Sequence, residues 1–140
     1  MKTIFFKPVL LLVSTFCFFV SMTPSDERNK SCQWDRYGVL CITNTMDFTM
    51  NYSYRWGNDN WSSISLHPGG TQRHWYEYKG HHTTSPDFTI NFDHDQTSEE
   101  HYTLNSLTRY RSPDNSCDSA KKYNFEVDND DNEIVLLSTN

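Results

Sequence analysis

Short runs in which apolar and polar residues alternate one by one recur along most of this chain. The clearest run is 48–56, where every second residue is aromatic or Met and the residues between are Thr, Asn, Ser and Arg. Alternate side chains of a strand point to opposite faces, so a period of two indicates a strand with one buried face. The pattern favours β-structure, because the chain contains no run with the apolar stripe of a helix.

Turn-forming residues separate the alternating runs from one another. The predicted strands are 39–45, 48–56, 61–66, 73–78, 88–93, 101–110, 123–127 and 134–137. Many short strands about ten residues apart are typical of all-β folds. We therefore predict a small antiparallel β-sandwich of about eight short strands, with a small β-barrel as the alternative.

The N-terminal residues have the pattern of a secretory signal peptide. Lys2 and Lys7 precede an apolar run, 9–20, that is short for a membrane span, and a polar stretch follows it. We predict that residues 1–22 are a signal peptide, 23–38 a polar N-terminal segment, and 39–140 a single β-sandwich domain. The protein would be secreted or periplasmic, with no stable membrane insertion after cleavage.

The charge of the exported chain argues against nucleic acid as a partner. Cleavage would remove Lys2 and Lys7, leaving ten basic residues against 18 acidic ones, a net charge of −8. Such a surface repels phosphate backbones, and no basic cluster offsets the repulsion. We expect the partner to be a carbohydrate or an extracellular protein.

Three cysteines would remain after cleavage, and an oxidising compartment favours one disulfide. Cys41 lies within an apolar run, where a free thiol behaves as a small buried hydrophobe. Cys32 and Cys117 both lie in polar, loop-like sequence. We therefore predict that Cys32 pairs with Cys117.

The segment Asp93-x-Asp95-x-Thr97 follows a predicted strand and invites a catalytic or metal-binding interpretation. The phosphatases with such a motif place it on a helix-flanked parallel sheet, which this chain cannot form. A calcium loop usually contains a glycine, and none lies between Asp93 and Glu100. We expect a solvated turn, with Asp93 and Asp95 kept as the candidates for a calcium ion and no other cofactor expected.

Exposed aromatic side chains are the strongest indication of function. Trp61, Trp75 and Tyr76 are the candidates for exposure and for ligand binding. Aromatic rings cover the apolar faces of sugars, while neighbouring amides and hydroxyls bond the sugar hydroxyls. We expect a binding module for carbohydrate or another cell-envelope component rather than an enzyme.

Two other functions stay open at this point. Aromatic and arginine side chains also dominate protein contacts, so the chain could be a protein-interaction module such as an inhibitor or a secreted effector. The histidines and aspartates between His81 and His101 leave a small metal-assisted hydrolase as a third hypothesis.

Overall fold

The computed structural model describes residues 34–95, 97 and 99–140, which form two β-sheets without a helix among them. The strands are β1 (Tyr37–Asn44), β2 (Met50–Trp56), β3 (Ser62–Leu66), β4 (Thr71–Glu77), β5 (Phe88–Asp93), β6 (Tyr102–Leu107), β7 (Tyr110–Ser112), β8 (Lys121–Val127) and β9 (Ile134–Ser138). The prediction of an all-β fold is confirmed. The predicted signal peptide, 1–22, lies outside the described residues, and the described residues include no helix that could span a membrane.

The strands form a sandwich of two open sheets. Sheet A has the strand order β4-β1-β8-β9, with β7 also paired to β1, and sheet B has the order β3-β2-β5-β6. Neither sheet closes on itself, so the sandwich is confirmed and the alternative of a barrel is wrong. All pairs are antiparallel except β1 and β8, which run parallel.

The predicted strand 101–110 is two strands in the structure. β6 pairs with β5 in sheet B, whereas β7 pairs with β1 in sheet A. Thr108 and Arg109 carry the chain from one sheet to the other, which a single strand could not do. Sequence alternation runs across this crossing and does not reveal it.

The apolar faces of the two sheets meet in one aromatic core. Phe88 and Phe92 of β5 and Phe125 of β8 are almost fully buried, with the Phe92 and Phe125 ring centroids 5.1 Å apart and edge to face. Buried and half-buried residues alternate strictly along β5, as the sequence pattern predicts. The polar residues of the same strands are thereby directed to the outer faces.

Strand β1 departs from this pattern because it is buried on both faces. Leu40 and Ile42 face the core between the sheets, while Val39 and Cys41 belong to a second apolar cluster with Ala120. The connection 113–120 between β7 and β8 contributes Ala120 to this cluster, and it forms a third layer over the middle of sheet A.

A disulfide between Cys41 and Cys117 fastens this third layer to β1. The prediction that Cys32 pairs with Cys117 is therefore wrong. Because β7 runs antiparallel and β8 parallel to β1, the connection between them must turn back beside β1, which brings Cys117 to Cys41. Cys41 is buried, as the apolar run around it predicts. The prediction failed because the layer that buries Cys41 also contains Cys117, its partner. Cys32 lies outside the described residues.

We expect Cys117→Ser to lower the free energy of unfolding by about 3–4 kcal/mol, because the disulfide closes a long loop in the unfolded chain. The two cysteines are 76 residues apart in sequence. Urea denaturation of the exported protein measures the change, and Cys32→Ser is the matched control. If Cys32→Ser loses as much stability as Cys117→Ser, the disulfide joins Cys32 to Cys117 after all.

A buried polar pair joins the two sheets. The hydroxyl of Tyr52 lies 2.8 Å from Nε2 of His74, and the His74 ring packs against Tyr54 and Phe88. Burial lowers the pKa of His74 to about 4 and raises the pKa of Tyr52. His74 is therefore neutral in the folded protein at neutral pH and serves as a hydrogen-bonded part of the core.

We expect the protein to lose about 2 kcal/mol of stability between pH 7.5 and pH 5 through His74 alone. The unfolded histidine takes up a proton near pH 6.5, whereas the folded one does so only near pH 4. The unfolded state thus binds more protons in this window, and stability falls as the pH falls. Urea denaturation at several pH values should show a flatter profile for His74→Gln, and an unchanged slope would contradict the assignment.

Candidate functional site

The outer face of sheet B is an open surface of short polar side chains. It contains a shallow depression of about 330 Å³ whose lining includes Asn51, Ser53, Ser63, Ser65, Asn91 and Tyr102. These residues occupy the polar positions of the alternating strands, so packing of the apolar positions in the core turns them outward. No other described element covers this face, which we call the sheet B face.

Cross-strand hydrogen bonds order the floor of the depression. Ser53 of β2 pairs with Ser63 of β3, with 2.9 Å between their hydroxyl oxygens. Ser65 donates a hydrogen bond of 2.6 Å to the side-chain oxygen of Asn51. These bonds leave the Asn51 amide group and the hydroxyl lone pairs free to bond a ligand, and the Asn91 amide lies on the next strand.

Trp61 lies at the β3 edge of the sheet B face. It follows a turn that begins at Gly57, whose φ of 51° is in the left-handed region that suits glycine. The indole is 42% exposed, and Cζ of Arg55 lies 4.7 Å from its ring centroid. The contact holds the ring beside the strands while leaving part of it open to solvent.

Tyr102 and Leu104 lie at the opposite edge, on β6. Tyr102 is 58% exposed, and its hydroxyl donates a 2.8 Å hydrogen bond to the Glu100 carboxylate. Leu104 is aligned with Asn91 across β5 and β6 and is also exposed. Three strand spacings, about 14 Å, separate β3 from β6. Trp61 and Tyr102 are also offset along the strands, because the register places Trp61 level with Arg55 and Tyr102 level with Asn51.

The three residues predicted to bind ligand lie on different surfaces. Trp75 is exposed on the outer face of sheet A, edge-on to Tyr37, on the other side of the sandwich from Trp61. Tyr76 points between the sheets and is half-buried against Trp56. The three side chains do not form one surface, because Trp61 precedes β3 of sheet B whereas Trp75 and Tyr76 belong to β4 of sheet A.

The polar floor of the depression and Tyr102 were not among the residues predicted from the sequence. The signal was present, because Ser53, Asn91 and Tyr102 all lie in alternating runs. The pairing register between strands, which places Ser53 beside Ser63 and Asn91, cannot be read from the sequence.

Asp93 and Asp95 make turn contacts in the structure. Asp95 accepts hydrogen bonds from the backbone N–H and the hydroxyl of Thr97, at 3.0 and 2.8 Å, and its carboxylate also contacts the His101 ring. Asp93 accepts one from the backbone N–H of His101 at 3.0 Å. Within the described part of the chain, no group of three or more His, Cys, Asp or Glu side chains is placed to hold a metal ion.

Acidic residues gather at one end of the sandwich, where β1, β3, β5 and β8 end. Loops 45–49, 67–70, 94–101 and 128–133 lie there, and a hydrogen bond of 2.6 Å from Ile134 to the His94 carbonyl joins the last two. Their sequence contains no Lys or Arg. The acidic residues of these loops are Asp47, Asp95, Glu99, Glu100, Asp128, Asp130, Asp131 and Glu133.

Comparisons with known proteins add little. No protein-family model matches the chain, and no curated protein matches its sequence. The structure resembles the NMR structure of a protein from Eubacterium rectale with a TM-score of 0.45 and 8% sequence identity, covering 74% of this chain and 89% of the other. A likeness of that level carries no argument about function.

Proposed function

We propose that this protein is a secreted or periplasmic binding module that holds a carbohydrate on the sheet B face. The observation that carries the proposal is the polar depression that Tyr102 borders, with the hydroxyls and amides of Ser53, Ser63 and Asn91 in its floor. The exposed ring of Trp61 lies farther along the β3 edge of the same face. Hydroxyls and amides bond sugar hydroxyls, and exposed rings cover apolar sugar faces. The depression is open and shallow, which suits part of an extended glycan.

The side chains of the sheet B face favour binding without hydrolysis. Asp93 is the one carboxylate that the strands of sheet B contain. Most glycoside hydrolases use two carboxylates that flank the scissile bond. The short hydroxyl and amide side chains are suited to holding a sugar, and they supply no acid and base pair.

The disulfide supports an extracellular or periplasmic location. The bond between Cys41 and Cys117 is of a kind that persists in oxidising compartments and is rare where thiols are kept reduced. This agrees with the signal peptide that the sequence predicts over residues 1–22.

A second candidate function is binding of an extended protein segment at a sheet edge. β6 and β9 are edge strands on the same side of the sandwich, and neither contains Lys or Pro, the residues that commonly protect an edge from pairing. Leu104 on β6 and Leu137 on β9 are exposed. An added strand would bond the free backbone groups of one of these edges.

Titration of the exported protein with a panel of oligosaccharides tests the leading proposal. For any sugar that binds, we expect Trp61→Ala and Asn91→Ala each to weaken binding about tenfold, the loss of one ring contact or one amide hydrogen bond. Trp75→Ala is the matched control, because it removes an equally exposed indole from the other sheet.

Two results would argue against the proposal. If Trp75→Ala weakens binding while Trp61→Ala does not, the sugar binds on sheet A. If no oligosaccharide binds while peptides do, binding at the β6 or β9 edge becomes the better account. Thermal melting of each variant verifies that the fold is retained.

A further inference from the structure

Arg55 is the one Lys or Arg residue in the strands of sheet B, and contact with Trp61 holds its side chain in place. It lies on β2, opposite Thr89 of β5, and its side chain points outward with those of Asn51 and Ser53. Stacking of the guanidinium on Trp61 holds it at the edge of the polar strip. The guanidinium therefore lies beside the ring that the proposed function assigns to sugar binding.

Arg55 differs from the other arginines of the described chain because it has no hydrogen-bond acceptor there. Arg36 pairs with Glu77, and Arg109 bonds the hydroxyl and carbonyl of Ser85. Arg111 and Arg73 likewise bond oxygen atoms of loop residues. No described carboxylate lies within 4 Å of Arg55, and its buried Nε has no partner.

The terminal nitrogens of Arg55 are the donors that a ligand could use. Nε is buried and out of reach of a ligand, whereas no described hydrogen bond or ion pair uses the two terminal nitrogens. The planar guanidinium fork matches a carboxylate in two parallel hydrogen bonds. A carboxylate bound end-on would accept one bond from each terminal nitrogen.

The distribution of charge favours an anion at Arg55 despite the acidic character of the whole protein. The eight acidic residues of the four loops described above lie at the end where β2 begins, whereas Arg55 is the second-last residue of β2. Asp93 also lies towards that acidic end. At the Arg55 end, Asp59 lies in the turn after β2 and Asp87 directly precedes β5. These are two carboxylates against the eight of the acidic loops, so an anion is repelled less at the Arg55 end than at the opposite end.

We propose that the bound carbohydrate is acidic, with the carboxylate of a uronic acid paired to Arg55 and the sugar ring on the exposed face of Trp61. This inference rests on the proposed function and adds the chemical class of its ligand. Arg55 is the specificity-determining residue, and the hydroxyls and amides of Ser53, Ser63 and Asn91 bond the neutral part of the glycan.

Isothermal titration with matched acidic and neutral sugars tests the inference. The probes are trigalacturonate, its carboxyl-reduced neutral counterpart, and a sulfated trisaccharide. We expect trigalacturonate to bind the wild-type protein at least tenfold more tightly than the neutral sugar at low salt, and salt to reduce this preference. The sulfated sugar tests whether the acidic group is a carboxylate, and we expect it to bind more weakly than trigalacturonate.

Variants then assign the preference to Arg55. Arg55→Gln should remove the preference for trigalacturonate. It also releases the Trp61 ring, so the affinity for the neutral sugar should fall as well, but by less than the affinity for trigalacturonate. Arg55→Lys should retain part of the preference, since lysine keeps the charge without the fork. Arg73→Gln, on sheet A, is the control and should behave as wild type.

The outcomes separate this inference from the proposed function. Equal affinity for the acidic and neutral sugars, or a preference that survives Arg55→Gln, overturns the inference while leaving carbohydrate binding intact. Tighter binding of the sulfated sugar than of trigalacturonate overturns the assignment to a uronic acid. Failure of all three sugars to bind overturns the inference together with the proposal of a carbohydrate site.

Discussion

Strand β1 is buried on both faces, and a two-layer sandwich can bury only one. Leu40 and Ile42 are covered by sheet B, so Val39 and Cys41 need a separate cover on the outside of sheet A. The connection 113–120 supplies it, because β7 and β8 run in opposite directions along the same edge of β1. The disulfide between Cys41 and Cys117 fastens this layer to β1.

This third layer also explains why the two outer faces differ. The middle of sheet A is closed by the covering connection, whereas the sheet B face remains open and keeps the polar residues that alternation assigns to it. Because its outward side chains are short hydroxyls and amides, an open sheet of this kind can contact a ligand across all of its strands. The asymmetry is thus a consequence of how β1 is buried, and it is the reason that the proposed site lies on sheet B.

The charge of the side chains changes along the strands of the sheet B face. The acidic loops lie at one end, and the stacked Arg55 and Trp61 lie at the other. Hydrogen-bonded serines and asparagines occupy the space between them, where no charge is present apart from that of Asp93. A ligand with a carboxylate and an apolar ring face at one end and several hydroxyls beyond them would match Arg55 and Trp61 and then the polar strip. An extended peptide would find its backbone partners at the β6 or β9 edges.

The sequence by itself determined the all-β class and most of the strands, because alternation with a period of two is a local property that survives in any β-fold. Of the three aromatic candidates for exposure, Trp61 and Trp75 are exposed, whereas Tyr76 is half-buried between the sheets. The tertiary structure decided that these two rings lie on different sheets, that 101–110 crosses from one sheet to the other, and that Cys117 pairs with Cys41. Each of these depends on strand order and register, which bring together residues far apart in the chain and leave no trace in any single run.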